Sequence, residues 1–242
     1  MRFGLCRIQK EARGPKMKEE HPQLESLYPF LSGQKKDAGL EHEALLESVR
    51  QKSVDSAETM AKFFAENSQK LIEVAHGLAE VYRNQGRLFS MGNGGSSCDA
   101  DHIAVEFQHP VTVGRSALPA ISLGNDKAML TAVGNDIGFK HIFLRQIIAQ
   151  AKKGDALIGI STSGNSENLL MAFSKAKEMS LTTIGLVGGG GGKMAENEDV
   201  DHCLIVPTDS IHRTQECHLV TYHILWDLVH TLLADDRGKK KE

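Results

Sequence analysis

The sequence predicts a doubly wound α/β domain, in which a parallel sheet carries helices on both faces. Two observations point to this fold class. After Gly86, short apolar runs of strand length alternate with segments of helical periodicity. A helical region without proline, from about Leu40 to Asn84, precedes them. Right-handed crossovers between parallel strands place helices on each side of a sheet, so this alternation indicates a doubly wound fold.

The segments before Gly86 are expected to be an extension followed by helices. The first 36 residues contain three prolines, little periodicity and an excess of basic residues, so we expect poor order there. From about Leu40 to Asn84, apolar residues recur at spacings of three and four, which predicts two helices, the second long. The predicted division of the chain is 1–36 (extension), 37–236 (a single domain that includes the N-terminal helices) and 237–242 (a charged tail).

Five strands and six helices are predicted downstream of Gly86. Ligands of doubly wound folds bind outside the carboxyl ends of the strands, so function is expected in the loops that follow Met91, Leu123, Ser161 and Val187. The predicted strands are 87–91, 119–123, 156–161, 182–187 and 202–207, and the predicted helices are about 97–108, 126–134, 139–151, 166–179, 193–197 and 210–234.

The last predicted helix has an apolar surface wider than one stripe, which implies burial on more than one side. This pattern favours packing of the terminal helices against a second subunit. A helix buried within one domain is the alternative.

Composition argues against several classes of protein. The formal net charge of −3 gives no field that would favour nucleic acid or an anionic membrane as a partner. No apolar run approaches the roughly 18 residues of a membrane span, and the start lacks the apolar core of a signal peptide. The four cysteines form no C-x-x-C pair, which is typical of reduced thiols. We therefore predict a cytoplasmic protein.

The glycine-rich segments do not complete a nucleotide motif. In "GNGGSS", Ser97 stands where the third glycine of the dinucleotide fingerprint belongs. In the run Gly188–Gly192, Val187 occupies the first P-loop glycine and Met194 replaces the Ser/Thr that would hold magnesium. No nucleotide cofactor is expected, and the glycine run is interpreted as a mobile connection that borders the site.

The segment "GISTSGNSENLL" predicts a phosphate site. Four hydroxyl residues surround Gly164 at the entry to a helix, where unpaired amides and the positive dipole end favour an anion. Ordinary helix capping is the alternative for Ser163 and Ser166, but capping needs only one such residue. The hydroxyl residues are Ser161, Thr162, Ser163 and Ser166.

His102 and Glu106 follow the loop "GNGGSS" on a predicted helix. Four residues apart, they share one face, so both could bind one metal ion, or Glu106 could act as a base. A surface pair is the alternative, and the glycine loop directly upstream argues against it. In the last helix, Gln215 and His223 are eight residues apart and can meet one ion only if their side chains lean together.

Together, "GNGGSSCDADHIAVEF", "AVGNDIGF", "GISTSGNS", "GGKMA" and "RTQECHLVTYHIL" resemble the phosphoheptose isomerases of the sugar isomerase (SIS) domain family. The resemblance runs from about Leu40 to Leu233. It implies a five-stranded parallel sheet flanked by helices and a homotetramer with sites between subunits. It also implies an aldose–ketose isomerase that converts sedoheptulose 7-phosphate into D-glycero-D-manno-heptose 7-phosphate, toward the heptose of lipopolysaccharide.

The resemblance also implies site residues. Moving a carbonyl from C2 to C1 requires a base for a carbon-bound proton and an acid for the enediol oxygens. We assign Glu106 as the base and His223 as the acid, with one zinc ion per site as the implied metal. The implied metal ligands are His102, Glu106, Gln215 and His223, and the implied substrate contacts are Asn93, Gly94, Gly95, Glu106, Asn135, Asp136, Ser161, Thr162, Ser163, Ser166 and Gln215.

Two departures from the family pattern keep other functions open. Ser97 stands where many members have histidine, and the segment from Gln108 to Leu130 lacks the usual arginine-rich, "SD"-containing version. An isomerase of another sugar phosphate is therefore one alternative. The other is a non-catalytic SIS protein, such as the relative that binds the bacterial replication initiator, but that relative lacks the glutamate found here as Glu106.

Overall fold

The structure, a computed structural model, describes residues 38–237. The predicted extension 1–36 and nearly all of the predicted tail 237–242 lie outside the described residues. The chain divides into two compact units, with the boundary between Ser48 and Val49. Within the first unit, residues 38–48 are helical, and the side chains from His42 to Ser48 are mostly exposed. The candidate functional residues all lie in the second unit.

Five strands and seven helices make up the described residues. Two short 3-10 turns, Phe139–His141 and Gly189–Gly191, directly precede helices. The strands are β1 Leu88–Gly92, β2 Ala120–Ser122, β3 Ala156–Ser161, β4 Thr182–Val187 and β5 His202–Ile205, and the helices are α1 Ala38–Arg83, α2 Gly95–Gln108, α3 Lys127–Asp136, α4 Ile142–Gln150, α5 Glu167–Glu178, α6 Gly192–Ala195 and α7 Ile211–Arg237.

Helix α1 is one continuous helix, so the prediction of two helices in this region is wrong. Its 46 residues contain no proline, and the only glycine in its interior is Gly77, since Gly39 lies at its start. A single glycine in a helix interior costs about 1 kcal/mol relative to alanine, which does not break a helix whose apolar face is packed. None of the described helices is both long enough and apolar enough to cross a bilayer.

The sheet is entirely parallel and confirms the predicted doubly wound fold. Its strand order is β2-β1-β3-β4-β5. The chain moves outward from β1 to β2 and then crosses back to β3, so the order reverses between β1 and β3. Ligands of doubly wound sheets bind at this switch point, outside the carboxyl ends of the two strands.

Two apolar cores cover the two faces of the sheet. One lies between the sheet and helices α1, α2 and α7, and the other between the sheet and helices α3 to α6. Strand β3 serves both: Ile158 and Ile160 face the first core, and Leu157 faces the second. Burial on both faces explains why its sequence is a continuous apolar run.

Candidate active site

The loops after β1 and β3 lie side by side at the switch point. Gly92 at the end of β1 pairs with Ile160 near the end of β3, which brings the two following loops together. Asn93 in the first loop and Asn168 in α5 exchange two hydrogen bonds, of 3.0 and 2.9 Å. Asn168 is buried, so this reciprocal amide pair fixes the β1–α2 loop against the start of α5.

The hydroxyl loop after β3 carries a pair of serines at the N-terminus of α5. Ser161 Oγ lies 3.1 Å from Ser166 Oγ and accepts a hydrogen bond from the Gly164 amide. Ser166 is the N-cap residue of α5, yet its hydroxyl makes no capping hydrogen bond. The two hydroxyls therefore stand beside a positive helix end, a combination that suits an anionic oxygen.

A cavity of about 280 Å³ opens beside this loop. Its wall combines residues from the hydroxyl loop with residues from the start of α7 and the glycine run. It is large enough for a small ligand, and five of the seven residues that line it carry polar side chains. The lining residues are Thr162, Ser163, Asn165, Gly189, Asp209, Ile211 and Thr214.

The glycine run packs directly against the hydroxyl loop. Gly164 has a φ of +64°, and a side chain there would overlap the Gly191 carbonyl oxygen. The Met194 amide donates to the Gly164 carbonyl at 3.0 Å. The run forms a 3-10 turn and the short helix α6, and its small residues let two loop backbones touch.

A cluster of two histidines and a glutamate lies beyond the β1–α2 loop, on helices α2 and α7. Its members are His102, Glu106 and His223. His102 and Glu106 lie on one face of α2, and His102 Nε2 is 3.1 Å from Glu106 Oε1. His223 reaches them from α7, and one ligand atom from each of the three residues lies within 4.8 Å of the others. Two histidines and a glutamate are the ligand set of several catalytic zinc sites. The donor set therefore fits a zinc ion.

The surroundings of His223 favour its neutral form. Partial desolvation lowers the pKa of His223 although its side chain is exposed, the neighbouring His102 lowers it further, and Glu106 partly offsets these effects. A neutral imidazole can bind a metal through one nitrogen or donate a hydrogen bond from the other. Metal binding and hydrogen-bond donation can each stabilise a substrate oxygen that acquires negative charge.

Three residues that sequence analysis missed hold the cluster in place. The Tyr222 hydroxyl is 2.8 Å from His102 Nδ1 and also bonds Asp99 Oδ1 at 3.5 Å. Burial and the nearby Asp99 raise the pKa of Tyr222, so the hydroxyl keeps its proton, and burial also raises the pKa of the Asp99 carboxyl. The Trp226 indole donates to the Glu106 carbonyl at 2.9 Å.

Of these three residues, only Asp99 had a signal in the sequence. Asp99 precedes His102 by three residues on a helix, so the shared face was readable. The contact of Tyr222 with His102 depends on how α7 packs on α2, which spacing within one helix does not reveal.

The remaining predicted residues lie in three places. Gln215 approaches the β1–α2 loop, because a side chain at Gly95 would overlap its amide group. Asn135 and Asp136 are exposed at the end of α3 and share a 2.9 Å hydrogen bond. Across residues 38–237, no hydrogen bond joins Gln215, Asn135 or Asp136 to the His/Glu cluster. Gly94, with a φ of +55°, is the residue before α2.

Comparisons with known proteins agree with this architecture. A family model described as the SIS domain matches residues 54–188. A phosphoheptose isomerase of Clostridium acetobutylicum is 42% identical over 195 residues, covering 79% of this chain and 96% of the relative. A phosphoheptose isomerase of Aquifex aeolicus is 40% identical over 191 residues, covering 79% of this chain and 99% of the relative.

A solved structure matches over the same part of the chain. The phosphoheptose isomerase of Neisseria gonorrhoeae superposes with a TM-score of 0.72 at 34% identity, covering 77% of this chain and 99% of that one. The strand order and the matched segment define the class as a SIS domain protein. Within that class, the chain belongs to the phosphoheptose isomerase family.

Proposed function

We propose that this chain is an aldose–ketose isomerase that converts sedoheptulose 7-phosphate into D-glycero-D-manno-heptose 7-phosphate through an enediol. The relatives from Clostridium acetobutylicum and Aquifex aeolicus are both named phosphoheptose isomerase, and this chain matches them over nearly their full length. The observation that carries the proposal is the position of Glu106, which lies with two histidines next to the switch point of the sheet. A carboxylate so placed can serve as a base near a ligand bound at the hydroxyl loop.

The proposed chemistry divides between Glu106 and His223. Glu106 Oε1 contacts His102, so Oε2 is the oxygen that takes the carbon-bound proton and returns it to the neighbouring carbon. His223, neutral because of its lowered pKa, donates its N–H toward the oxygen that gains charge as the enediol forms. The overall step moves one proton between C1 and C2 and one between the two oxygens, with no net oxidation.

We propose zinc as the ion of this site, held by His102, Glu106 and His223. When bound, it would supply a Lewis acid for the substrate oxygens. Gln215 is proposed as a further ligand or substrate contact, supported by its place at the β1–α2 loop. Metal analysis of protein prepared without chelator tests the assignment: one zinc per chain is expected, and absence of a stoichiometric ion would contradict it.

The hydroxyl loop is proposed to hold the phosphate. Ser161, Thr162, Ser163 and Ser166 surround the N-terminus of α5, and Asn93, Gly94 and Gly95 border the same crevice. Asn135 and Asp136 are proposed as sugar contacts. Their exposure at the end of α3 is compatible with a site completed by another subunit.

An assay with sedoheptulose 7-phosphate tests the function directly. Purified chain should produce an aldoheptose phosphate, and Glu106→Gln should lower kcat by at least about 100-fold, because the variant keeps the shape but loses the base. Glu178→Gln removes an exposed carboxylate at the far end of α5 and is the matched control. Undiminished turnover in Glu106→Gln would remove Glu106 as the base.

A second candidate is an isomerase of another sugar phosphate. The observation that favours it is the unusual segment after Gln108, in which Val111 is 79% exposed and Val113 is 99% exposed. These exposed apolar side chains lie in the segment that lacks the arginine-rich version typical of the family. A panel of ketose phosphates of five, six and seven carbons decides between the candidates: the highest kcat/KM should belong to the heptose, and a higher value for a shorter sugar would favour the alternative.

We further propose a cytoplasmic homotetramer with sites between subunits, whose product feeds lipopolysaccharide heptose synthesis. Exposed apolar side chains on α1 and α7 support the assembly, and three cysteines outside disulfides fit a reducing compartment. The mass of the particle in solution tests the assembly, since a tetramer has four times the 26.5 kDa of the chain. The exposed apolar residues are Val49, Val54, Ile72, Ile211 and Leu219.

A further inference from the structure

Behind the His/Glu cluster lies a chain of polar contacts that the proposed reaction does not use. Tyr222 is 2% exposed, and its hydroxyl bridges His102 Nδ1 and Asp99 Oδ1. Asp99 and His102 are three residues apart on one face of α2, while Tyr222 comes from α7. The second carboxylate oxygen of Asp99, Oδ2, is buried and has no hydrogen-bond partner within residues 38–237.

Counting protons along this chain selects one arrangement. A phenol hydroxyl donates one hydrogen bond and can accept others, and a carboxylate can only accept. If Tyr222 donated to His102, Asp99 would lose its partner and both of its oxygens would lack a donor. An unsatisfied buried acceptor costs about 1–3 kcal/mol, and more when it is charged. Tyr222 therefore donates to Asp99, and it accepts a hydrogen bond from His102 Nδ1–H.

The proton on Nδ1 fixes the state of the other nitrogen. In neutral histidine only one ring nitrogen carries hydrogen, so Nε2 presents its lone pair. That lone pair faces Glu106 Oε1 at 3.1 Å, and both atoms are then acceptors. Two acceptors at this distance repel unless a proton or a metal ion lies between them, and a zinc ion would supply that positive charge.

The ring of His102 is also held in orientation. It packs edge-on against Tyr222, with 5.3 Å between ring centroids, and against His223, with 5.1 Å. Rotation of the ring would break both contacts and the Tyr222 hydrogen bond together. The structure therefore fixes the direction of Nε2 as well as its lone pair.

We propose that Asp99 and Tyr222 are positioning residues that hold His102 in its Nδ1–H form and so present Nε2 to a zinc ion. We call this chain of hydrogen bonds from Asp99 through Tyr222 to His102 the relay. This inference rests on the proposed metal site. Hydrogen-bond partners of ligating histidines raise metal affinity in this way, and their removal typically costs about 10- to 100-fold in affinity. The hydrogen bonds at His102 Nδ1 thus determine how strongly Nε2 binds the zinc ion.

Zinc titration of the metal-stripped full-length chain, in competition with a coloured chelator, tests the relay. Tyr222→Phe and Asp99→Asn should each weaken zinc affinity by about 10- to 100-fold. The double variant should bind no more weakly than the weaker single variant, because residues that act as one unit are not additive. Asp99→Asn keeps the size of the side chain, so it decides the question if Tyr222→Phe does not fold.

The matched control is Tyr82→Phe. Tyr82 is a partly buried tyrosine whose hydroxyl is buried and has no hydrogen-bond partner within the described range, so this variant removes a buried phenol oxygen away from the cluster. Its zinc affinity should equal that of the wild type. Wild-type affinity in Asp99→Asn, or additive losses in the double variant, would overturn the relay.

The measurements separate this inference from the proposed function. A wild-type chain that isomerises the sugar phosphate but binds no zinc overturns the relay and leaves the isomerase standing. A wild-type chain that binds zinc, loses affinity in both single variants and turns over no sugar phosphate supports the relay and overturns the isomerase.

Discussion

The backbone of the proposed base is anchored by a side chain from another element. Trp226 of α7 donates to the Glu106 carbonyl, and Arg115 lies over the Trp226 ring with 5.4 Å to the centroid. Arg115 also forms an ion pair with Asp227 at 2.5 Å. The loop after α2 and the helix α7 therefore both restrain the position of the carboxylate, and displacements of about 1 Å can cost about 100-fold in rate.

The role of Ser166 as a ligand contact or as a helix cap can be separated by substitution. Because its hydroxyl makes no capping bond, Ser166→Ala should cost less stability than the roughly 1 kcal/mol of a lost cap. Loss of one hydrogen bond to a phosphate oxygen should raise KM for the sugar phosphate by about tenfold or more. Thermal unfolding and initial rates measure the two effects.

Asp126→Ala is the control for this prediction. Asp126 caps α3, and its side chain accepts from the Met129 amide at 2.9 Å. Its replacement should lower stability by about 1 kcal/mol and leave KM nearly unchanged. The reverse pattern, with Ser166→Ala unstable and its KM normal, would identify Ser166 as a cap only.

At the scale of elements, the sequence predicted the central strands better than the edges. The bounds predicted for β3 and β4 agree with the observed Ala156–Ser161 and Thr182–Val187, because strands buried on both faces are uninterrupted apolar runs. Strand β2 has only three residues, since an edge strand has one neighbour to define its length. Helix α1 was predicted as two helices, because local periodicity does not show whether a helix continues.

In the proposed site, residues that lie within one segment were predictable from the sequence, whereas contacts between distant segments were not. The hydroxyl loop and the His102/Glu106 pair each lie within one short segment, so spacing along the chain was enough to select them. The Asn93–Asn168 pair and the Tyr222–His102 contact join residues that are 75 and 120 positions apart. Such contacts depend on the packing of whole elements, which periodicity within one segment does not contain.

The contact between the hydroxyl loop and the glycine run predicts a large effect of Gly164→Ala. A positive φ disfavours alanine by about 1–2 kcal/mol, and the new methyl group would overlap the Gly191 carbonyl oxygen. The loop must shift, so stability should fall by at least about 2 kcal/mol and sugar phosphate affinity should be largely lost. Chemical unfolding and ligand titration measure both.

Gly77→Ala is the matched control for the glycine substitution. A side chain at Gly77 meets no atom within 4 Å, and the residue lies inside α1. Alanine there should raise stability by up to about 1 kcal/mol and leave ligand affinity unchanged. Equal behaviour of the two variants would contradict the packing argument.

At the scale of the whole molecule, one buried histidine ties stability to pH. His218 is 1% exposed, and neither ring nitrogen makes a well-aligned hydrogen bond among the residues described, although the Val187 backbone lies close enough to interact with the ring. Burial lowers its pKa to about 4, an effect that the Val187 backbone offsets only in part. An unfolded chain exposes the same ring with a pKa of about 6.5.

The sign of the pH effect follows from these two values. Above about pH 6.5 neither state binds the proton, so stability does not depend on His218. Between about pH 6.5 and 4 only the unfolded state is protonated, so the free energy of unfolding falls as pH falls, by about 2 kcal/mol at pH 5 and about 3 kcal/mol near pH 4.

Replacement of His218 should therefore remove part of the acid sensitivity. In His218→Met, the difference in unfolding free energy between about pH 7.5 and 5 should shrink by about 2 kcal/mol, measured by urea unfolding at one protein concentration. His212→Met changes an exposed histidine of the same helix and should retain the wild-type difference. An unchanged difference in His218→Met would show that His218 is charged inside the fold.

The overlap between position 164 and the Gly191 carbonyl also constrains how such proteins can diverge. Because a side chain at 164 would overlap the Gly191 carbonyl oxygen, a larger residue at 164 requires a longer or re-routed segment at 188–192 in the same lineage. The two positions should change in concert across descendants of a common ancestor. Chimeras that exchange only one of these segments between homologues should fold poorly, whereas exchange of both together should succeed.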